Sequence, residues 1–224
     1  MRWLIDNFGV VAELTRTHLY LSLVPLLLGL VVAVPVGTAV RGVSWLRRLT
    51  LTIAGIAFTI PSLALFVTIP VVFGLTILDP LNVVIAMTVY SAALLVRAVP
   101  EALDAVPHDV RDSAEAMGYS WLRRVSTVDL PLALPVLSAS VRVVAVTNIS
   151  LVSVGSVIGI GGLGRLFTTG YQRDYPDQIL AGIIAIVVIA LVVDVVLYLL
   201  TRAATPWTRQ SGVPGRTSRS GGRP

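Results

Sequence analysis

Long runs without a carboxylate or guanidinium group dominate this chain and limit what it can fold into. Residues 17–40 and 49–78 contain no Asp, Glu or Arg, and 80–96 continue the pattern. Further on, 130–141 and 143–164 flank a lone Arg142, while 178–193 and 195–201 flank Asp194. A bilayer core about 30 Å thick takes roughly 20 apolar residues in helical form. In lipid the backbone must satisfy its own hydrogen bonds, so runs of this length predict helices. The weak alternation of an outer-membrane barrel is absent. The expected fold is therefore an all-α integral membrane protein of about five transmembrane helices, at 17–40, 49–78, 80–97, 131–160 and 178–201.

Composition agrees. The 224 residues are 55% hydrophobic and only 13% charged, against about a quarter charged in soluble domains. A water-soluble enzyme is excluded on that balance. All 17 basic residues are Arg, set against 12 acidic ones for a net charge of +5. A nucleic-acid partner requires a basic face on a soluble fold; here the arginines separate apolar blocks and mark membrane topology. Arg41, Arg47, Arg48, Arg97, Arg111, Arg123, Arg124, Arg202, Arg209, Arg216, Arg219 and Arg223 fall on one side, and Arg2, Arg16, Arg165 and Arg173 on the other. The first set is expected in the cytoplasm of a bacterial plasma membrane, with the N-terminus (1–16) outside and the C-terminus inside. Asp6 and Glu13 interrupt the first residues, so no cleaved leader is expected. With no Cys, thiolate metal sites and Cys nucleophiles are excluded.

Pro25, Pro35, Pro61 and Pro70 lie inside the first two apolar runs and are expected to kink them, which suits helices lining a cavity. Trp3, Trp45, Trp121 and Trp207 fall near the expected interfaces, where Trp anchors. The stretch 203–224, rich in Gly, Ser, Pro and Arg near its end, is expected to be a disordered cytoplasmic tail. His18 and His108 are far apart in topology and form no metal cluster.

One hydrophilic segment remains, 98–130. Asp109 after Pro107 is a candidate N-cap, Asp112 is placed in the first turn, and Val110, Ala114 and Met117 recur at helical spacing. Gly118 supplies a stop. Ser120 then caps a second short helix through Trp121, Leu122 and Val125 that ends before Leu130 and Pro131. A short helix with an apolar stripe and a charged rim has the anatomy of a docking element.

The same segment reads Asp112-Ser113-Ala114-Glu115-Ala116-Met117-Gly118, then nine residues, then Val128-Asp129-Leu130-Pro131. This resembles the EAA loop of ABC importer permeases: E-A-A, three residues, G, nine residues, I, any residue, L-P. The spacing matches throughout; Asp112, Ser113 and Val128 depart from it in identity. Thr59-Ile60-Pro61-Ser62-Leu63-Ala64-Leu65, Leu130–Pro135 with Val141-Arg142, Ile158–Gly164 and Ile179-Leu180-Ala181-Gly182 resemble the glycine betaine, choline, carnitine and proline branch. The resemblance covers roughly residues 15–202. Methionine importer permeases share the five-helix plan and a similar Gly-rich segment.

The resemblance implies a MetI-like permease subunit that passes a small osmoprotectant delivered by a solute-binding protein. It further implies a second permease subunit and a separate ATPase holding ATP and Mg, since this chain has no phosphate-binding G-x-x-x-x-G-K-[ST] motif and no cofactor of its own. Asp112, Ser113, Ala114, Glu115, Met117, Gly118, Val128, Leu130 and Pro131 would form the ATPase-coupling element, with Asp112 and Glu115 pairing to basic groups of the ATPase. Pro61, Ser62, Arg142, Asn148, Gly161 and Gly162 are the expected pathway residues, the glycines permitting a tight outer gate. For Arg142 and Asp194, mutual pairing is the alternative. Quaternary-ammonium solutes are commonly held by aromatic faces, yet only 7% of this chain is aromatic, so selection is expected in the binding protein. The in-class alternative is a permease for methionine or another small polar nutrient. An intramembrane enzyme would need paired catalytic groups that the apolar runs lack, and a purely structural protein would not need the docking loop.

Overall fold

The computed structural model describes residues 7–209, and within them every regular element is helical. The first helix, α1, spans Phe8–Val40, nine residues longer at its start than expected. Its 33 residues extend about 50 Å at 1.5 Å per residue, more than the bilayer core requires. The exposed Glu13 and Arg16 ride on the projecting turns. Pro25 and Pro35 lie within α1 without ending it.

The run expected as one helix at 49–78 is two helices, α2 (Ser44–Thr59) and α3 (Ser62–Phe73), bent by 99°. A proline excludes its predecessor from the helical region. Ile60 accordingly sits at φ −64°, ψ 128°, and Pro61 at ψ 133°. The break frees the Ile60 carbonyl, which accepts from the Tyr90 hydroxyl, while the Phe58 ring meets Tyr90 edge-on at 5.7 Å. Internal satisfaction of this kind is what lets a broken backbone lie at membrane depth.

Helix α4 (Pro80–Asp104) starts where the Asp79 carboxylate accepts from the Leu81 amide at 2.9 Å, with Pro80 in the first turn. It ends seven residues later than expected, carrying the exposed Arg97 on its side. Two short helices follow, α5 (His108–Ala116) and α6 (Trp121–Arg124). The latter does not stop before Leu130. It runs through a π-helical turn, Val125–Asp129, into α7 (Leu130–Val152). The Leu130 amide reaches back to the Val125 carbonyl. The wider turn lies just before Pro131, whose ring would otherwise press on the carbonyl of Thr127 four residues back.

Beyond α7, 3₁₀ turns at Ser153–Ile158 and Gly162–Gly164 replace the last residues of the helix expected to reach 160. Helix α8 (Arg165–Gln172) and α9 (Pro176–Ala204) complete the chain, with a 3₁₀ turn at Pro206–Arg209. Residues 203 and 204 thus belong to α9 rather than to a disordered tail. The expectations for 1–6 and 210–224, including Arg2, Trp3, Arg216, Arg219 and Arg223, fall outside the described residues. Among these elements four helices are long and apolar enough to cross a membrane, or five if the bent pair counts as one span.

Helices α1 and α4 form the central pair. Gly29, Ala33 and Gly37 repeat every fourth residue along α1 and are buried. A Cβ on Gly29 would stand 2.5 Å from the Ser91 Cβ, and one on Gly37 2.7 Å from the Val99 Cβ. With no hydrophobic drive between helices in lipid, small residues that let backbones approach supply the packing. The core around this seam joins Leu26, Leu95, Val99, Leu103, Ala145 and Ile149. A second cluster holds Phe66 of α3 against Met87 and Tyr90 of α4 and Val152 of α7. Almost none of the most apolar stretch of α9 is buried within the chain.

Candidate coupling site

The ends of α1 and α4, together with α5 and α6, meet at one end of the bundle, where arginines gather. Helix α5 begins after Pro107, which fixes the entry but gives no side-chain cap. Asp109 is therefore not the N-cap; it is the acidic residue of the first turn, the place expected of Asp112. The helix ends as the sequence requires. Gly118 takes φ +79°, a left-handed conformation that glycine alone adopts without strain. Its amide donates to the Glu115 carbonyl at 2.8 Å, and the Tyr119 amide to the Ala114 carbonyl at 3.1 Å. Ser120 sits at the N-cap position of α6 without a side-chain cap bond.

The expected apolar stripe divides. Ala114 is buried against the chain's own helices, whereas Val110 and Met117 point outward. Trp121 and Leu122 of α6 are exposed as well, so with Met117 (69% exposed), Leu122 (71%) and Trp121 (52%) both short helices present apolar side chains outward. Sequence periodicity along α5 alone missed the α6 half. Asp112, Ser113 and Glu115 are exposed around it. Glu115 pairs within the chain, with Arg124, and the Arg123 guanidinium lies 4.5 Å from the Tyr119 ring centre. Val128, Leu130 and Pro131 are half-buried where the π turn enters α7.

Beneath this surface lies a charge cluster that sequence reasoning did not find. Asp104, at the end of α4, accepts from Arg41 Nε at 2.7 Å and from Arg47 Nη1 at 2.9 Å. Asp129 is fully buried and stands 3.5 Å from Arg41, 3.8 Å from Arg111 and 3.5 Å from Arg124. Arg111 also donates to the Leu103 carbonyl. Burial pushes the Arg111 guanidinium below its ordinary pKa and the Arg41 charge adds to that, with Asp129 opposing. These partners lie far apart in sequence, so no local pattern announces them.

The expected pathway residues scatter. Pro61 is exposed and Ser62 half-buried at the α2–α3 bend. Arg142 pairs with Asp194 and borders a cavity of about 350 Å³ between α7 and α9, with Ser138, Tyr198 and Thr201. Asn148 lies inside the bundle. It is fully buried and donates to the Ser22 carbonyl at 3.0 Å and to Ser91 Oγ at 2.8 Å, tying α7 to α1 and α4. Gly161 and Gly162 are likewise buried, at the end opposite the arginine cluster. A Cβ on Gly161 would lie 2.2 Å from the Ser156 amide nitrogen, and one on Gly162 2.7 Å from His18 Cα. Close backbone approach explains these glycines. His18, also fully buried, pairs through Nε2 with the Ile149 carbonyl at 2.9 Å. Among the described residues no group of three His, Asp or Glu could hold a metal ion.

A helical bundle of four or five spans with an apolar two-helix element at one end is the architecture of a multi-pass transport permease. The chain belongs to the family described as binding-protein-dependent transport system inner membrane component, whose model matches residues 26–210. It is thus a membrane-embedded transport subunit and not itself an enzyme. It is 33% identical over 208 residues to the osmoprotectant import permease protein OsmW of Salmonella typhimurium, covering 92% of this chain and 97% of that one. It is 28% identical over 206 residues to the glycine betaine/carnitine/choline transport system permease protein OpuCB of Bacillus subtilis, covering 92% and 94%. An inward-facing structure of the MetNI methionine ABC transporter matches with a TM-score of 0.76 at 25% identity, covering 85% of this chain and 94% of that one.

Proposed function

We propose that this chain is the permease subunit of an ATP-driven importer of a small osmoprotectant such as glycine betaine, choline, carnitine or proline. The observation that carries the coupling half of this reading is the exposed apolar surface of Met117, Trp121 and Leu122, rimmed by charge at the arginine-rich end of the bundle. The solute class rests on what OsmW and OpuCB transport by their names. These relatives share 33% and 28% identity with this chain, against 25% for the methionine transporter, which favours an osmoprotectant over methionine.

In this reading the arginine-rich end is cytoplasmic, the N-terminus lies outside and the C-terminus inside. Asp112, Ser113, Ala114, Glu115, Met117, Gly118, Val128, Leu130 and Pro131 seat the chain on a separate ATPase that binds ATP and Mg. A second permease subunit completes the pathway, and a solute-binding protein delivers from outside. ATP closes the ATPase pair, the α5–α6 elements move with it, and the permease pair switches between inward- and outward-facing states. A rigid element contacting both states differently is what drives such a shift. Exposed charge pairs contribute about 0–1 kcal/mol each, so the apolar surface supplies most of the grip. Pro61 and Ser62, at the exposed bend, line the pathway.

Uptake of radiolabelled glycine betaine, choline and methionine by a transporter-deficient strain carrying this chain with its ATPase and binding protein tests the reading. Accumulation of glycine betaine or choline is expected. Accumulation of methionine alone would replace the solute assignment, and no ATP-dependent uptake of any solute would end it.

A further inference from the structure

The cytoplasmic element has to move as one piece with the membrane helices if it is to transmit anything, and nothing in the exposed surface itself secures that. Helix α5 is nine residues long, too short to hold its place by its own hydrogen bonds. Only Arg111 and Ala114 of α5 are buried. The joints at its two ends differ. On the far side, α6 runs through the π turn into α7 without interruption, so these form one rod. On the near side α5 is separated from α4 by a bend at 105–107. Tying α5 to the rod and to α1 therefore falls to side chains.

We propose that Asp129 is the positioning residue that clamps α5 to the rod and to the end of α1. This rests on the coupling role given above to α5 and α6. The π turn carries Asp129 into the interior of the end cluster, where it is fully buried. Three guanidinium groups surround it within 4 Å, and each comes from a different element: Arg41 just beyond α1, Arg111 in α5 and Arg124 in α6. Arg41 and Arg47 reach on to Asp104 at the end of α4. Four arginines and three carboxylates, counting Glu115, thus join the ends of α1, α2, α4, α5 and α6 at this face. Neither Asp129 oxygen makes a hydrogen bond of good geometry. The clamp is held by charge and burial rather than by a fixed bond pattern. It keeps α5, α6 and α1 together, and each guanidinium is held in turn by a second partner, Arg41 by Asp104, Arg111 by the Leu103 carbonyl and Arg124 by Glu115. A carboxylate buried among arginines is costly unless compensated; rigid transmission is the return.

The test uses the assembled complex of this chain, its ATPase and the binding protein in proteoliposomes, comparing Asp129→Asn and Arg111→Gln with the unaltered chain. Asp129→Asn keeps the shape and removes the charge. Complexes that still co-purify with the ATPase should keep basal hydrolysis, while stimulation by solute-loaded binding protein falls about fivefold or more, a typical size for lost coupling. Spin labels on Val110→Cys and Val136→Cys, in this cysteine-free chain, should give one narrow distance that broadens in both variants. Unchanged stimulation and an unchanged distance distribution in Asp129→Asn overturn the proposal. So does a parallel loss of basal and stimulated hydrolysis with loss of co-purification, which marks a merely structural role. Should Asp129→Asn fail to reach the membrane, Arg111→Gln decides by the same two readouts. An unaltered complex without stimulation or uptake would instead refute the coupling reading itself, a separate result.

Discussion

Arg142 of α7 grips Asp194 of α9 with two bonds, Nε to Oδ1 at 2.7 Å and Nη2 to Oδ2 at 2.6 Å. Such fork-to-carboxylate pairing fixes geometry as well as charge. Both residues interrupt apolar runs, and the Arg142 guanidinium also lies 5.3 Å from the Tyr198 ring centre. Since α9 buries little of its apolar length within the chain, this pair is a polar hold on it. Arg142→Ala and Asp194→Ala should each lower the amount of folded permease recovered from membranes. The exchange Arg142→Asp with Asp194→Arg should recover part of it, as measured by fluorescence size-exclusion chromatography. Normal yields for both single variants would show that α9 is held otherwise.

The α1–α4 seam gives a contrast between two glycines. A Cβ at Gly29 meets Ser91 Cβ at 2.5 Å, whereas one at Gly55 in α2 meets nothing within 4 Å. Gly29→Ala should cost about 1–3 kcal/mol as an overpacked contact. Gly55→Ala should be neutral or stabilising by about 0.4–1 kcal/mol, because alanine restricts the unfolded chain. Thermal denaturation in detergent orders the two variants, and a Gly29→Ala protein as stable as Gly55→Ala would contradict the packing.

At the opposite end Gly162 combines φ +47° with a Cβ position 2.7 Å from His18 Cα. Left-handed backbone at a non-glycine residue costs on the order of 1–3 kcal/mol before any clash is counted. Gly162→Ala should therefore detach the Gly-rich turn from α1, seen as faster proteolysis between α7 and α8. A digestion pattern like that of the unaltered chain would count against this account.

The apolar surface of α5 and α6 makes a prediction on the partner. Central apolar anchors cost more than 1 kcal/mol when removed, so Met117→Asp or Leu122→Asp should weaken ATPase association about tenfold, equivalent to about 1.4 kcal/mol. Val71→Asp would not serve as a control, since it places charge in lipid; Thr127→Asp, exposed on the π turn, does. Pull-down titrations against the ATPase measure all three, and equal affinities would remove this surface from the interface.

The sequence made the spans and the short helix α5 readable because each depends on local composition: apolar length for the first, Pro107 and Gly118 for the second. Its errors share a cause. Pro61 announced a break, but thirty residues without charge at 49–78 read as one helix; the Tyr90 hydroxyl that satisfies the broken backbone comes from another helix. Leu130-Pro131 read as a stop, yet the π turn carries the helix through. The partners of Asn148, a lone amide in an apolar run, were likewise invisible; Ser22 and Ser91 supply them from α1 and α4. Asp129 fell at the unspecified position of the loop pattern, and its three arginines are brought to it only by folding.

The central claim is a lever on the cytoplasmic side that moves with the membrane helices, and its placement can be read directly. The chain has no native cysteine, so Met117→Cys and Tyr171→Cys, at positions 69% and 82% exposed, can each be challenged with a membrane-impermeant maleimide. With the chain expressed without its ATPase, intact spheroplasts should label Tyr171→Cys and spare Met117→Cys, and inside-out vesicles should show the reverse. Labelling of Met117→Cys in intact spheroplasts would put the lever outside the cell and contradict the account.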